Sequence, residues 1–283
     1  MPGAATRAKA FAILLSWLVL LSLPGCGGAG SEATGTTGDA AAPTASAAEA
    51  ASYTFAVMGD SHTDGLDNGI LPQAVASARE NDAQFIIHTG DVSNTGTREE
   101  LERYAGFVAS AGVPVHSIPG NHDLVSAGDA SLFSMIVGPP HSSFEFGGDH
   151  FILLDNADES TGIDPGQMEW ALEELEAGAE SPRQFIFTHV PLGSPDPEVA
   201  WLLDEPGYAS GAELASAASR HENTAAFFSG HVHGLLRYSL DGIDAWVSGG
   251  AGAEPYPSPA IGFHNYLLVR VAEDEVEVSV VRL

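Results

Sequence analysis

Short apolar runs of strand length recur along the chain from residue 53 onward. Such runs, when rich in β-branched and aromatic side chains and bounded by polar or turn residues, are typical of β-strands. The ten predicted strands are 53–58, 85–89, 113–118, 151–154, 185–188, 226–229, 235–238, 243–247, 266–271 and 276–281. Helical signals separate the first runs, whereas the last four follow one another directly. This order predicts a layered α/β domain in which parallel strands come first and antiparallel strands later.

Two segments carry the signals of a helix start. Thr97 precedes Glu100 by three residues, which is the spacing of a capping box. Asp164 is followed by Pro165, which suits a first helical turn, and by Gln167 at the third helical position. After this second start, four apolar residues fall on one helical face: Met168, Ala171, Leu172 and Leu175. We therefore expect helices to begin at these two places.

The beginning of the chain has the composition of a targeting segment. An apolar run at 11–23 follows Arg7 and Lys9 and is shorter than the roughly 20 residues that a membrane-spanning helix needs. This pattern, with small residues after it, predicts a secretory signal peptide over residues 1–25. Residues 23–26, Leu-Pro-Gly-Cys, resemble the lipobox of bacterial lipoproteins apart from the proline. The resemblance implies lipid attachment at Cys26, the alternative being a plain signal peptide with an incidental cysteine.

The segment that follows Cys26 is interpreted as a tether. It consists almost entirely of Gly, Ala, Ser, Thr and Pro, a composition that predicts a flexible linker. An ordered helix is the alternative, which the glycines and Pro43 disfavour. We therefore expect an anchor cysteine and tether at 26–51 and a folded domain at 52–283. In this interpretation the protein lies in the bacterial cell envelope, outside the cytoplasm, and contacts the membrane only through its lipid anchor.

Composition and charge exclude several classes of function. The chain has 10 Lys+Arg against 38 Asp+Glu and a formal net charge of −28. Lys9 is the only lysine, so the domain contains no P-loop lysine, Schiff-base lysine or Ser–Lys dyad. The Gly-x-Ser-x-Gly elbow of serine hydrolases is also absent from the sequence. So acidic a surface argues against a nucleic acid polymer as partner, because phosphate backbones require a basic face.

Residue types that bind metals follow five of the predicted strands directly. In an open α/β sheet, ligands bind at the carboxyl ends of the strands, so these residues should meet at one rim. Each motif taken alone is a common turn feature, but five of them in this position predict a single site. They are Gly-Asp-Ser-His at 59–62, Gly-Asp-Val-Ser-Asn at 90–94, Pro-Gly-Asn-His-Asp at 119–123, His-Val-Pro at 189–191 and Gly-His-Val-His at 230–233.

The donor set indicates the kind of metal site. Two carboxylates, one amide and four imidazoles suit borderline divalent ions such as manganese, iron or zinc better than calcium. Seven protein groups are too many for one catalytic ion that keeps an open position. They fit two ions that share a bridging carboxylate.

These motifs resemble those of the calcineurin-like metallophosphoesterases, and the resemblance spans residues 53–283. The segments 143–146 and 151–155 are similar to that family's central strand pair, and 167–171 and 248–252 are similar to members near the purple acid phosphatases. The resemblance implies an α/β fold, a four-layer α/β/β/α sandwich of two mixed sheets flanked by helices. It also implies hydrolysis of small phosphate esters by a metal-bridging hydroxide.

The resemblance implies a role for each polar residue of the five motifs. Asp91 would bridge two divalent metal ions, manganese, iron or zinc. The ligands of the first ion would be Asp60, His62, Asp91 and His233. The ligands of the second ion would be Asp91, Asn121, His189 and His231.

Three further residues receive expectations from the same resemblance. His122 would act as the acid that faces the leaving group, and Asp123 would orient it. Asn94 stands where purple acid phosphatases have a tyrosine ligand, so no charge-transfer colour is expected. The sequence leaves open whether the substrate is a phosphomonoester or a phosphodiester, and it leaves the oligomeric state open. A divergent surface protein that binds a metal or ligand without turnover is the alternative to an enzyme.

Overall fold

The computed structural model describes residues 52–126, 128–193, 197, 199–203 and 209–283. The signal peptide, Cys26 and the tether predicted at 1–51 lie outside this part of the chain. Within it, no helix has both the length and the apolar character that crossing a bilayer requires.

In the described part of the chain, eleven strands form two mixed sheets. In chain order they are β1 (Tyr53–Met58), β2 (Phe85–His88), β3 (Val115–Ser117), β4 (Ser142–Phe146), β5 (Asp149–Leu153), β6 (Gln184–Phe187), β7 (Thr224–Ser229), β8 (Leu235–Leu240), β9 (Ile243–Ser248), β10 (Asn265–Ala272) and β11 (Glu275–Arg282). The first sheet has the order β11-β10-β1-β2-β3, and the second has the order β4-β5-β6-β7-β9-β8. All ten predicted strands are present, within a few residues of their predicted bounds.

The strand directions follow the prediction only in part. β1, β2 and β3 are parallel, and β10 and β11 are antiparallel, as expected. The prediction is wrong for two strands of the second sheet. β4 pairs antiparallel with β5 in the middle of the chain, and β9 pairs parallel with β7 near its end. The hairpin β8–β9 causes the second departure, because it returns the chain alongside β7 in the original direction.

Among the residues that the structure describes, six α-helices accompany the strands: α1 (Asp64–Asp67), α2 (Ile70–Glu80), α3 (Arg98–Ala109), α4 (Ser131–Ile136), α5 (Pro165–Ala177) and α6 (Ser210–Ala218). The predicted capping box begins α3, with reciprocal bonds between Thr97 and Glu100. Asp164 caps α5 by accepting from two backbone N–H groups. The Gln167 side chain does not complete a box there. It bonds instead to the backbone N–H and C=O of Asp155, which ties α5 to the end of β5.

Alternation of side chains along the strands produces three apolar layers. Between the sheets, aromatic rings dominate, with Phe55 of β1 stacked on Phe85 at 5.2 Å and edge-on to Phe151 at 5.5 Å. The other faces of β1, β2 and β10 pack against α2, α3 and α4. The outer face of the second sheet packs against α5 and α6. The fold is therefore the expected α/β/β/α sandwich, and it leaves the carboxyl ends of the parallel strands at one rim.

Candidate metal centre

Five loops meet at the carboxyl ends of β1, β2, β3, β6 and β7. Backbone hydrogen bonds join neighbouring loops: Asp60 N donates to Gly90 O at 3.0 Å, and His62 N donates to Asp91 O at 2.8 Å. In the second sheet, Gly230 N donates to His189 O at 2.9 Å. Both sheets thus contribute to one polar cluster, as the sequence predicted.

Four residues of this cluster have left-handed backbone conformations. Their φ angles are 56° at Asp60, 50° at His62, 54° at Asp91 and 68° at His231. Residues with a Cβ adopt this region rarely and at a cost of roughly 1–3 kcal/mol each. Such strain persists only where surrounding contacts hold it, and it concentrates at functional sites. Here it turns the side chains away from the strand direction and toward one another.

Two glycines let the loops approach the carboxylates. A Cβ at Gly120 would lie 2.2 Å from Asp91 Oδ1, and a Cβ at Gly230 would lie 2.4 Å from Asp60 Oδ2. Neither position has space for any other residue. These motif glycines are therefore required by the closeness of the backbone to the acidic groups.

The four residues expected to bind the first ion lie together. One ligand atom from each of Asp60, His62, Asp91 and His233 falls within 4.8 Å of all the others. His62 Nε2 is 3.4 Å from Asp91 Oδ2, and His233 Nε2 is 3.7 Å from Asp60 Oδ1. All of these groups are buried except His233, which is partly exposed.

The residues expected to bind the second ion form an adjoining cluster. Asn121 Oδ1 lies 3.0 Å from His189 Nε2 and 3.1 Å from His231 Nδ1. His189 Nε2 is 3.5 Å from Asp91 Oδ2. The same Asp91 oxygen therefore lies beside His62 in one cluster and His189 in the other, which is the position of a bridging ligand.

The nitrogen atoms of these histidines fit a metal centre. His189 Nδ1 lies 2.8 Å from Thr89 O, His231 Nε2 lies 3.2 Å from Leu202 O, and His233 Nδ1 lies 3.0 Å from Glu254 O. A carbonyl only accepts, so each of these nitrogens carries the proton, and the other nitrogen presents its lone pair to the cluster. His62 Nε2 is buried there without a hydrogen-bond partner. The residues present therefore fit two metal ions.

The charges and pKa shifts of the cluster also favour bound cations. Burial and the charge of Asp91 raise the pKa of Asp60 well above its ordinary value. Burial opposes ionisation of Asp91 too, but the surrounding imidazoles, His189 foremost, hold its pKa below the ordinary value. Burial lowers the pKa of His231 to about 4 and lowers that of His233. Two buried carboxylates side by side are costly without a sufficient counter-charge, and two divalent ions would supply it.

His122 lies beside this cluster, but its orientation differs from the prediction. Its Nδ1 donates to the backbone carbonyl of Asn94 at 2.8 Å, and its ring lies 4.7 Å from that of His62. Asp123 was expected to orient His122, and this expectation is wrong. The buried carboxylate of Asp123 accepts instead from Gly120 N, from Ser93 Oγ and from two further backbone N–H groups. Asp123 therefore joins the loops after β2 and β3.

The sequence did not indicate how the loop that carries the Asn94 carbonyl is held. Asn94 Oδ1 accepts from Thr63 N at 2.8 Å, so its side chain is engaged with the backbone. The Glu100 carboxylate accepts from the hydroxyls of Thr95 at 2.8 Å and Thr97 at 2.7 Å, and also from Thr63. The capping-box spacing predicts the role of Glu100 at the start of α3. It does not predict the contacts of Glu100 with Thr63 and Thr95, which depend on the folded chain.

Four of the proposed ligands, including Asp91, line a cleft of about 820 Å³. His122, Asn121 and the ligand histidines His231 and His233 line one part of it. The rest of the lining consists of residues that the sequence did not single out: Glu159, Leu202, Glu254, Pro255, Tyr256 and Pro257. The cleft has the size of a small-molecule site.

Two glycine-to-alanine variants test whether the metal centre depends on the close approach of the backbone to Asp91. We expect Gly120→Ala to reduce the bound metal to one ion per chain or fewer, because the new Cβ must displace the Asp91 carboxylate. Gly106→Ala is the matched control: nothing lies within 4 Å of its Cβ, and it lies inside α3, where alanine should stabilise by roughly 0.5–1 kcal/mol. Metal content by plasma mass spectrometry, with urea unfolding, measures both. Full metal content in Gly120→Ala would contradict the proposed geometry.

Comparison with known proteins agrees with this architecture. A family model described as calcineurin-like phosphoesterase matches residues 53–235. The chain is 28% identical over 156 residues to a 3′,5′-cyclic-nucleotide phosphodiesterase of Nostoc sp., covering 54% of this chain and 57% of the relative. It is 25% identical over 178 residues to a 3′,5′-cyclic adenosine monophosphate phosphodiesterase of Escherichia coli, covering 60% of this chain and 62% of the relative. The chain thus matches less than two thirds of the length of each relative.

Solved structures show the same fold. A purple acid phosphatase from yellow lupin seeds has a TM-score of 0.64 at 15% identity, covering 83% of this chain and 52% of that one. A dimetal phosphatase from Danio rerio has a TM-score of 0.60 at 16% identity, covering 81% of this chain and 95% of that one. The matched family model covers well over half of the chain, from β1 to the start of β8. The chain therefore belongs to the calcineurin-like phosphoesterase family.

Proposed function

We propose that the protein hydrolyses small phosphate esters at this centre, with two divalent ions of manganese, iron or zinc. The observation that carries the proposal is the pair of donor clusters that share Asp91 Oδ2 and contribute to the lining of the cleft. When bound, such ions supply a water that ionises at about pH 7 and positive charge beside the phosphoryl oxygens. The seven side chains of the clusters are the proposed ligands, in the assignment that the resemblance implied.

The protein's own groups position the ester and deliver a proton. Asn121, from the second cluster, and the adjoining His122 both line the cleft. His122 donates from Nδ1 to the Asn94 carbonyl, which leaves Nε2 to hold the proton for the departing oxygen. Proton donation of this kind contributes typically ~10²–10⁴-fold to the rate. We therefore assign His122 as the general acid and Asn94 as the group that orients it.

Chelation tests the proposed function on the full-length chain. We expect hydrolysis of bis(p-nitrophenyl) phosphate to disappear after metal removal and to return when Mn²⁺, Fe²⁺ or Zn²⁺ is added, because the reaction depends on bound cations. 3′,5′-Cyclic nucleotides, the substrates named for the relatives, are the first natural esters to assay alongside. Two bound ions per chain without hydrolysis of any ester would contradict the proposal and favour a binding protein on the same fold.

His122→Ala distinguishes a general acid from a residue that only shapes the cleft. We expect kcat/KM for an alkyl phosphate ester to fall at least ~100-fold, because an alkoxide needs protonation as it departs. Nitrophenyl esters should lose less than about tenfold, since their leaving group is stable without a proton. Metal content must stay at the wild-type value for the comparison to be valid. Equal losses on both ester types would remove His122 from the acid role.

We further propose that the enzyme acts in the bacterial cell envelope as a lipoprotein anchored through Cys26. The support is the sequence of residues 1–26, with its basic start, apolar run and lipobox-like end. Cys26→Ser should move the protein from the membrane fraction to the soluble fraction, because acyl chains bind the bilayer at about 0.8 kcal/mol per buried methylene. Fractionation followed by immunoblotting measures the change. Equal membrane retention of wild type and variant would contradict the lipid anchor.

A further inference from the structure

We infer that the cleft selects phosphate esters with a single negative charge, phosphodiesters, over doubly charged phosphomonoesters. Glu159 and Glu254 are the specificity-determining residues of this selection. The inference rests on the proposed function and names the substrate class of the same site. Two independent features of the cleft carry it: the described lining residues include no arginine or lysine, and they include two glutamates.

No arginine or lysine of the described residues lines the cleft. The eight arginines in this part of the chain are all engaged or located elsewhere. Four form ion pairs, which are Arg98–Glu102, Arg103–Asp67, Arg183–Asp149 and Arg237–Asp244. The other four are Arg79 beside Gly112, Arg220 on the Ser216 carbonyl, Arg270 in a cavity at the start of β1, and Arg282 over the Phe263 ring. Among the described residues, the second charge of a monoester would therefore meet no arginine or lysine side chain.

Glu254 is held at the metal centre by its backbone. Its carbonyl accepts from His233 Nδ1 at 3.0 Å, and the residues on either side are also tied to the centre. Ala253 N donates to Asp60 O at 2.9 Å, and Tyr256 N donates to His233 O at 2.7 Å. Glu254 lines the cleft from this segment. The residue is thus held beside the donor clusters by the same backbone contacts that hold the proposed ligand His233.

Glu159 lines the cleft from the loop after β5. Asp158 organises this loop, since its Oδ1 accepts from Ser160 N at 2.8 Å and its carbonyl accepts from Gly162 N at 2.6 Å. Glu159 also lines the adjoining cavity that Asn121 enters. The two carboxylates therefore come from separate loops that end at the same cleft.

The charge of the substrate decides how it interacts with these groups. A phosphomonoester has a second pKa of about 6 and carries nearly two negative charges at neutral pH, whereas a diester carries one. Each carboxylate repels the extra charge, and because both glutamates are exposed the repulsion is moderate and decreases with salt. In a diester, an organic group replaces the charged oxygen. Leu202, Pro255 and Tyr256 offer that group an apolar wall.

A matched pair of substrates tests the selection: p-nitrophenyl phosphate and its methyl ester, which share a leaving group and differ in charge. We expect Glu159→Gln and Glu254→Gln each to raise kcat/KM for the monoester by about 3- to 10-fold, and the double variant to raise it further. Activity on the methyl diester should stay within about twofold, because glutamine keeps the size of glutamate and removes only its charge. An unchanged ratio of the two activities in the double variant would overturn the inference.

Glu275→Gln is the control for the charge of the whole surface. Glu275 lies in a cavity at the start of β1, at the opposite end of the strand from the metal centre, and the substitution removes the same charge. We expect its monoester activity to stay within about twofold of the wild type. An equal gain in Glu275→Gln would show that net charge, rather than the cleft carboxylates, decides the selection. A wild-type chain that cleaves neither ester would instead refute the proposed function, so the two failures are distinguishable.

Discussion

The carboxylate of Asp91 is the group on which the rest of the site depends. Its Oδ2 lies beside His62 from the first sheet and His189 from the second, at 3.4 and 3.5 Å. Its Oδ1 accepts from the backbone of His122 at 2.9 Å. One buried acidic group thus connects both sheets, both donor clusters and the segment that carries the proposed general acid. The four-layer sandwich supplies what this arrangement requires, which is two sets of strand ends at one rim.

Holding this group in place is costly to the folded chain. Asp60 and Asp91 are buried close together, four residues of the centre have left-handed backbone, and His62 Nε2 is buried without a hydrogen bond. The aromatic layer between the sheets offsets such costs, since each buried large apolar side chain stabilises by roughly 1.5–3 kcal/mol. Bound cations would offset the remainder at the site itself. Stability and metal binding are therefore coupled in this fold.

The sequence predicted the parts of the site that depend on short-range pattern. His189 directly follows an apolar run, and one glycine separates Asp60 and Asp91 from theirs, so the strand pattern alone is enough to place them at a common rim. Glu159, Glu254 and Tyr256 could not be deduced, because loops from distant parts of the chain bring them to the cleft. The predicted role of Asp123 in orienting His122 is wrong because it, too, depends on contacts with another loop. The motif places it next to His122, but its orientation follows from the backbone N–H groups of a neighbouring loop, which no spacing reveals.

The acidity of the chain has a different meaning at the site than over the whole surface. A net charge of −28 argues against phosphate binding only if the site has the same negative charge as the rest of the surface. Two bound divalent ions would make the site locally positive. The most direct test of the account is the metal content of Asp91→Asn, purified as a folded chain and compared with His233→Ala. We expect two ions per chain in the wild type, about one in His233→Ala, and essentially none in Asp91→Asn. Two ions retained in Asp91→Asn would contradict the claim that one carboxylate holds the centre together.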